Sequence, residues 1–389
     1  MRIGILTTHD SINYGAVLQT YAMASVYRKM GHDVRIIDRR RDPLGWPLKW
    51  ELSGYSPFRR WASFMTATGA WSELKRRRRT LSFLREKVGM TDYWFRQWTE
   101  APDDLGADLV SVGSDQVWNP EVNDPLDYLP GRLKARAISY AASFGAGTIP
   151  DSLLGTFLPA VSRLKAVSVR EAEAADFLTG HGIRAAHVID PVALAGRETW
   201  DELVRPVRPT GRLFVYLLGR RTFDDLDFLA SYAARERVEI DCFVGGLLFA
   251  PLSRHGIPRL FKNWRRWRRW NREPRFHLNV SADPVEFVRA LAGADAVVTS
   301  SYHALVFSAL YGKNVRFVLP ETGTPQVGMM ARIRDYAGSV VRGPLLQPTL
   351  EAALDSARSH ETTKTDDEEL ARRRRESFLW LENAVPIRT

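Results

Sequence analysis

The sequence predicts an α/β protein made of two doubly wound domains that face each other across a cleft. The chain has 389 residues, which exceeds the size at which one hydrophobic core usually keeps growing. Its first 38 residues read as strand, helix and strand, the repeating unit of a parallel sheet. The same alternation restarts near residue 212, after a stretch rich in proline and arginine. These three observations favour two sheet domains in tandem.

The first domain is predicted over residues 1–201. It opens with a strand from Arg2 to Thr8, followed by a polar loop and a helix from Val17 to Met30. Residues 40–100 interrupt the alternation of strands and helices, because they contain proline, tryptophan and a long basic helical stretch. The alternation then returns, and further strands are predicted at 107–113, 136–143, 165–170 and 185–190.

The second domain is predicted over residues 212–365, after a linker at 202–211 that carries no apolar period. Residues 366–389 contain a final helix, which we expect to cross back onto the first domain. Ligands of doubly wound sheets bind beyond the carboxyl ends of the strands. The cleft between two such domains is therefore the predicted site.

The composition narrows the cellular setting and the kinds of partner. The one cysteine, Cys242, excludes an internal disulfide framework and fits a reducing compartment. The first residues turn polar too early for a signal-peptide core, and no apolar run is long enough to span a membrane, so we expect a cytoplasmic protein. The net charge is +10, and much of the excess of basic residues lies in runs at 39–41, 75–79, 265–270 and 372–375. Such runs suit nucleic acid, an anionic membrane or phosphorylated substrates, without choosing among them.

Two polar loops of the first domain follow predicted strands and are candidate ligand loops. The first precedes a helix whose amino end can bind an anion, although a simple capped turn would look the same. Its candidate binding residues are Asn13, Tyr14, Gly15 and Gln19. The second, "GSDQVWNP", combines hydroxyl, carboxylate and amide groups with a ring on which a sugar can stack. Its candidates are Ser114, Asp115, Gln116, Trp118 and Asn119.

Two more loops follow later strands. Arg170 ends one strand, where its guanidinium can grip a carboxylate or phosphate through two hydrogen bonds, or form a surface salt bridge. In "TSSYHALVFSALYGKNV" the candidates are Ser300, Ser301, His303 and Lys313. His303 begins an apolar helix, where it is either structural or catalytic. No metal-ligand pattern, nucleophile elbow or Walker loop is present, so we expect no metal site.

A basic helix at 261–272 carries a possible membrane-binding surface. Trp264, Trp267 and Trp270 fall on one side at helical spacing, with arginines largely on the other. Such a helix suits an anionic membrane surface, which would make the protein peripheral on the inner face of the membrane. The alternative is a solvated helix whose tryptophans pack on their own domain. Nucleic acid is not an expected partner, because no recognised binding motif accompanies the charge.

Taken in order, six stretches resemble the polysaccharide pyruvyl transferase family. They are "INYGAVLQTYA", "GSDQVWNP", "SYAASFG", "SVRE", "VIDPV" and "SSYHALVFSALYGK". The resemblance implies a GT-B-like pair of Rossmann-like domains and transfer of pyruvate from phosphoenolpyruvate to a sugar of a cell-surface polysaccharide or its lipid-linked precursor. Many relatives carry an Asp or Arg, and a Gly, where this chain has Ser300, Ser301 and Ala304. Either another cation replaces the missing arginine or the substrate differs.

The implied ketal chemistry needs cations for a dianion, an acid and a base. Arg170, the helix after Gly15 and His303 are the expected groups that hold phosphoenolpyruvate. Asp115 is the expected base and His303 the expected acid, although the two assignments can be exchanged. No cofactor is expected beyond the donor substrate. Two alternatives stay open: a GT-B glycosyltransferase that uses a nucleotide sugar, and a basic membrane-surface binding protein.

Overall fold

The structure, a computed structural model, describes most of the chain. The described residues are 1–11, 13–40, 72, 75–129, 136–145, 149–218, 222–244, 265–320 and 330–385. Trp264 of the predicted membrane helix lies outside them. None of the helices that these residues form is long and apolar enough to cross a membrane.

The first sheet has five parallel strands in the order β3-β2-β1-β4-β5, which is the order of a Rossmann fold. Its strands are β1 (Arg2–Leu6), β2 (Asp33–Arg39), β3 (Met90–Phe95), β4 (Leu109–Val112) and β5 (Arg136–Ser139). Single bridges from Ile138 and Ala142 connect β5 to β6 (Val167–Val169), which pairs with β7 (Ala185–His187).

The helices of the first domain pack along this sheet, and the first of them begins earlier than the sequence predicts. Asn13 caps α1 by accepting a hydrogen bond from the Gly15 N–H (2.9 Å), so the helix starts at Tyr14 rather than Val17. The other helices are α2 (residues 75–87), a 3-10 turn (Pro125–Tyr128), α3 (Asp151–Val161), α4 (Ala172–Gly180) and α5 (Pro191–Val204). Because α5 extends to Val204, the first three residues of the predicted linker are helical.

The second sheet repeats the order of the first, β10-β9-β8-β11-β12-β14, again with parallel pairs. Its strands are β8 (Leu213–Leu217), β9 (Ile240–Val244), β10 (Phe276–Asn279), β11 (Ala296–Thr299), β12 (Asn314–Val318) and β14 (Leu346–Gln347). The helices are α6 (Thr222–Glu236), α7 (residues 265–270), α8 (Pro284–Gly293), α9 (Tyr302–Leu310), α10 (Met330–Val340) and α11 (Leu350–Ala357). The predicted class of two doubly wound Rossmann-like domains is therefore confirmed.

The last helix packs against the first domain. A short antiparallel pair, β13 (Val341–Arg342) with β15 (Lys364–Thr365), precedes α12 (Asp367–Ala384). The Ser377 hydroxyl accepts a hydrogen bond from the Ile189 N–H (2.9 Å). The Trp380 ring lies beside that of Tyr140, with centroids 6.1 Å apart. These contacts join the end of the chain to the β5–β7 side of the first domain.

The two domains also share an aromatic and ionic contact near the start of α1. The Tyr14 ring stacks on Phe287 of α8 at 4.5 Å, and its hydroxyl donates to the Ala282 carbonyl (2.9 Å). From α2, Arg79 contacts Asp283 (2.6 Å) and Glu286 (2.8 Å). The basic run at 75–79 thus contributes to the domain interface. The substrate-binding role predicted for Tyr14 is wrong, because its side chain is buried in this interface.

The membrane surface predicted for α7 is wrong at Trp270. This ring is fully buried in the core of the second domain, and its indole N–H donates to Asp227 (2.7 Å). Trp267 is half-buried and packs on the same core. Arg266 and Arg269 pair with Asp227 of α6. The tryptophans that the structure describes therefore pack on their own domain, as the alternative interpretation had it.

Candidate active site

The candidate site lies where the two domains meet at the carboxyl ends of their strands. Arg170 directly follows β6, and Asp190 caps α5. His303 lies in the first turn of α9, and Arg332 lies in the first turn of α10. Two groups thus come from each domain, as the topology of paired doubly wound sheets favours.

Arg170, Asp190 and His303 form one buried network. Arg170 Nη1 donates to Asp190 Oδ2 (2.9 Å), and His303 Nε2 lies 3.5 Å from the same oxygen. His303 Nε2 also lies 3.5 Å from Arg170 Nη1. The other Asp190 oxygen accepts a hydrogen bond from the Val192 N–H (2.8 Å). Asp190 therefore orients both the guanidinium and the imidazole.

Opposite charges hold Asp190 and Arg170 in their ionised forms. Burial alone would raise the pKa of Asp190, but His303, Arg170 and the Val192 N–H outweigh it, so the pKa lies well below its ordinary value. Burial alone would lower the pKa of Arg170, but the carboxylates of Glu171 and Asp190 hold it above the ordinary value. Both groups remain charged throughout the physiological range.

Arg170 has two donors that make no hydrogen bond among the described residues. Its side chain is almost fully buried, and Nε lies 3.7 Å from the Glu171 carboxylate, while Nη2 has no hydrogen-bond partner. Buried donors of a charged group are costly when left unpaired, so such groups point to a ligand. An anionic oxygen of a ligand can accept a hydrogen bond from Nη2.

Arg332 brings a second buried cation to the same place. The guanidinium carbons of Arg170 and Arg332 lie 4.8 and 5.3 Å from the centre of the Tyr302 ring. In the amide orientation that suits its neighbours, the Gln116 oxygen accepts hydrogen bonds from both terminal nitrogens of Arg332 (2.9 and 3.0 Å). Burial, and next the charge of Arg170, lower the pKa of Arg332 to about 10. Two cations that repel one another favour an anionic ligand between them.

Gly15 lets the first helix approach the histidine. A Cβ at this position would lie 2.2 Å from His303 Nδ1, far inside van der Waals contact. The start of α1 therefore packs directly on the imidazole, and only glycine fits there. Gly15 and His303, which come from different domains, are thus in direct contact.

Asp115 lies beside this cluster on the loop after β4. Its carboxylate accepts a hydrogen bond from the Thr8 hydroxyl (2.7 Å), and its side chain is partly exposed. The next residue back, Ser114, is fully buried, and its N–H and hydroxyl both bind the Gln19 oxygen (3.2 and 2.9 Å). Ser114 and Gln19 thus attach the loop to α1, while the Asp115 side chain stays partly exposed.

A family model described as polysaccharide pyruvyl transferase matches residues 13–321, which is most of the chain. The chain belongs to the polysaccharide pyruvyl transferase family. No curated protein matches the sequence.

Solved structures similar to this family member include an epimerase and a glycosyltransferase. The UDP-GlcNAc 2-epimerase of Methanocaldococcus jannaschii, in complex with UDP-GlcNAc and UDP, is 11% identical over 97% of this chain and 100% of its own, with a TM-score of 0.49. A glycosyltransferase of Streptomyces sp. SF2575, complexed with thymidine diphosphate, is 16% identical over 98% and 96%, with a TM-score of 0.40. The GT-B-like fold itself follows from the two strand orders above.

Several residues predicted to bind substrate in this pyruvyl transferase family member have structural roles instead. The stacking role of Trp118 is wrong, because the ring is fully buried between Phe144 and Phe157. Asn119 is buried too, and its side-chain oxygen accepts a hydrogen bond from the Glu121 N–H (3.0 Å). Both residues hold the loop in place rather than present it to a ligand.

The helix-start residues of the second domain also serve the fold. Ser300 bonds to both the N–H and the carbonyl of Leu218 (2.7 and 3.1 Å), and Ser301 caps α9. The ligand role of Lys313 is wrong, because it lies beyond the far end of α9 and donates to the Ala294 carbonyl (2.7 Å). The seven residues of α9 after His303 rise by about 10 Å, and Lys313 lies beyond them in the following turn. Asn13 caps α1, and its side-chain oxygen accepts a hydrogen bond from the Tyr216 hydroxyl (3.3 Å).

Three residues of the cluster were not among the sequence candidates: Asp190, Tyr302 and Arg332. The first two lie in "VIDPV" and "SSYHALVFSALYGK", which carry the family resemblance, so the sequence contained a signal that could have identified them. Arg332 has no such signal. Among the residues that the structure describes, no group of His, Cys, Asp and Glu side chains is placed to hold a metal ion.

Proposed function

We propose that this protein transfers pyruvate from phosphoenolpyruvate to a sugar of a cell-surface polysaccharide or its lipid-linked precursor, forming a cyclic ketal. The observation that carries the proposal is the buried guanidinium of Arg170, whose Nη2 makes no hydrogen bond among the described residues, beside a second buried cation. Family membership supports pyruvyl transfer as the reaction.

Phosphoenolpyruvate is a compact anion whose carboxylate and phosphate each suit one arginine. By the two distances to the Tyr302 ring, the guanidinium carbons of Arg170 and Arg332 are at most about 10 Å apart. A ligand with an anionic group at each end can contact both. Arg332 would then be the cation that replaces the arginine missing from the loop at 300–304.

The remaining residues meet the acid and base requirements. His303, held by Asp190, gives a proton to the methylene carbon of the donor, which leaves C2 electrophilic. One sugar hydroxyl attacks C2 as Asp115 takes its proton. The C2–O bond to phosphate then breaks, and a second hydroxyl attacks C2 to close the ketal. Of the two hydroxyl protons, one restores the acid and the other leaves with the phosphate, so the products are the ketal and inorganic phosphate.

The test is incubation with phosphoenolpyruvate and a panel of lipid-linked and aryl glycosides. We expect acceptor-dependent release of phosphate together with a new ketal methyl signal in the NMR spectrum. Stabilisation of the protein by UDP or GDP sugars, with none by phosphoenolpyruvate, would contradict the proposal. That result would instead favour the glycosyltransferase alternative.

A further inference from the structure

A tryptophan with an exposed ring lies at the carboxyl end of the first sheet. Trp94 of β3 is 50% exposed, and it is the one aromatic side chain among the large exposed hydrophobics of the described residues. It pairs in register with Asp38 of β2, so both side chains leave the sheet on the same face. Since Trp118 is buried, Trp94 is the exposed ring that the described residues offer for stacking at this edge.

A network of charged groups supports one face of the Trp94 ring. The guanidinium carbon of Arg40 lies 5.2 Å from the ring centre. Arg40 makes two hydrogen bonds to Asp38 (2.9 and 2.5 Å), and His9 contacts the same carboxylate (3.1 Å). Burial would raise the pKa of Asp38, but Arg40 and His9 lower it to about 2. The ring therefore has an ionic support on one side and stays half-exposed.

This platform is continuous with the candidate active site. His9 directly follows Thr8, whose hydroxyl binds Asp115. In the sheet, β3 is separated from β4 by β2 and β1, so Trp94 lies three strand spacings from the strand that leads to Asp115. At about 4.8 Å per spacing, the separation is about 14 Å. That distance exceeds the width of one sugar ring.

We infer that Trp94 and Arg40 form a second acceptor subsite, which binds a sugar ring next to the one that receives pyruvate. A sugar presents an apolar face to an aromatic ring and hydroxyls to the charged groups around it, which is the chemistry that this surface offers. The inference rests on the proposed function for the identity of the reacting sugar. It adds that the acceptor has at least two sugar units.

Binding can be measured without the donor, using defined sugars. The panel is glucose, galactose and N-acetylglucosamine with cellobiose, lactose and diacetylchitobiose, studied by saturation-transfer NMR and calorimetry. We expect at least one disaccharide to bind the wild type about tenfold more tightly than its monosaccharide, as one stacked ring typically contributes. Trp94→Ala should abolish that preference and Trp94→Phe should keep most of it. Leu379→Ala, which removes another exposed hydrophobic from α12, should leave it unchanged.

Equal behaviour of wild type and Trp94→Ala across the panel, including no binding by either, would overturn the inference. The outcome is separable from that of the proposed function. Trp94-dependent sugar binding without any turnover of phosphoenolpyruvate would remove the proposed function alone. Pyruvyl transfer with an unchanged acceptor KM in Trp94→Ala would remove the second subsite alone.

Discussion

Replacing Arg332 with methionine should make the free protein more stable and its complex with phosphoenolpyruvate weaker. The pKa of Arg332 is about 10 instead of the ordinary 12.5, because of burial and the charge of Arg170. The folded state therefore disfavours the charged form, and this cost is fully present at every pH below about 10. At 1.36 kcal/mol per pKa unit, it amounts to about 3 kcal/mol at neutral pH.

Methionine fills much of the same volume without the charge. The substitution also removes the stacking on Tyr302, worth about 1 kcal/mol, and the hydrogen bonds to Gln116, worth about 1–2 kcal/mol. The expected net gain is about 1 kcal/mol, which raises Tm by roughly 2 °C for a protein of this size. In the wild type, phosphoenolpyruvate at 100 times its Kd should add about 2.7 kcal/mol, and the variant should lose most of that.

The assay is thermal unfolding of wild type and variant with and without phosphoenolpyruvate, together with calorimetric titration. Arg334→Met is the matched control, because this arginine lies on the same helix and is exposed. It should change neither the Tm of the free protein nor the ligand-induced increase. A less stable Arg332→Met protein with wild-type affinity for phosphoenolpyruvate would refute the reasoning and give Arg332 a purely structural role.

Three further substitutions test separate parts of the account. Arg170→Lys keeps the charge but loses the planar fork, so the KM for phosphoenolpyruvate should rise about tenfold or more, and unchanged donor kinetics would speak against the contact. His303→Gln should lower kcat by about 10² to 10⁴ with little change in Tm, whereas a folded and fully active variant would end the proposed acid role. Trp270→Ala should lower the free energy of unfolding by about 3–5 kcal/mol, as measured by denaturant titration. Retained stability with loss of liposome binding would instead restore the membrane interpretation.

The architecture could be predicted because alternation of strands and helices is a local property of the sequence. Parallel strands buried on both faces read as short apolar runs, as in "LVSV" of β4 and "AVVT" of β11. The carboxyl ends of those strands then place Asp115 and His303 near the cleft. β3 was not predicted, because its sequence "MTDYWF" has no clean apolar pattern and follows a basic helix.

The direction of a side chain in a loop cannot be predicted in the same way. Trp118 and Asp115 stand three residues apart in one polar turn, yet the ring enters the core and the carboxylate stays partly exposed. The ring has Phe144 and Phe157 to pack against, and both come from later parts of the chain. Such partners are known only once the chain is folded, so the candidate list for this loop contained residues of both kinds.

The same reasoning explains why the conspicuous basic runs do not mark the ligand site. Their carboxylate partners are far away in sequence: Arg79 pairs with Asp283, Arg269 with Asp227, and Arg373 with Asp335. A run therefore looks like unpaired charge although the fold neutralises much of it. The two arginines proposed to hold the donor, Arg170 and Arg332, stand outside the runs. Both guanidinium groups lie beside the Tyr302 ring, and closeness between residues 162 positions apart has no local signal.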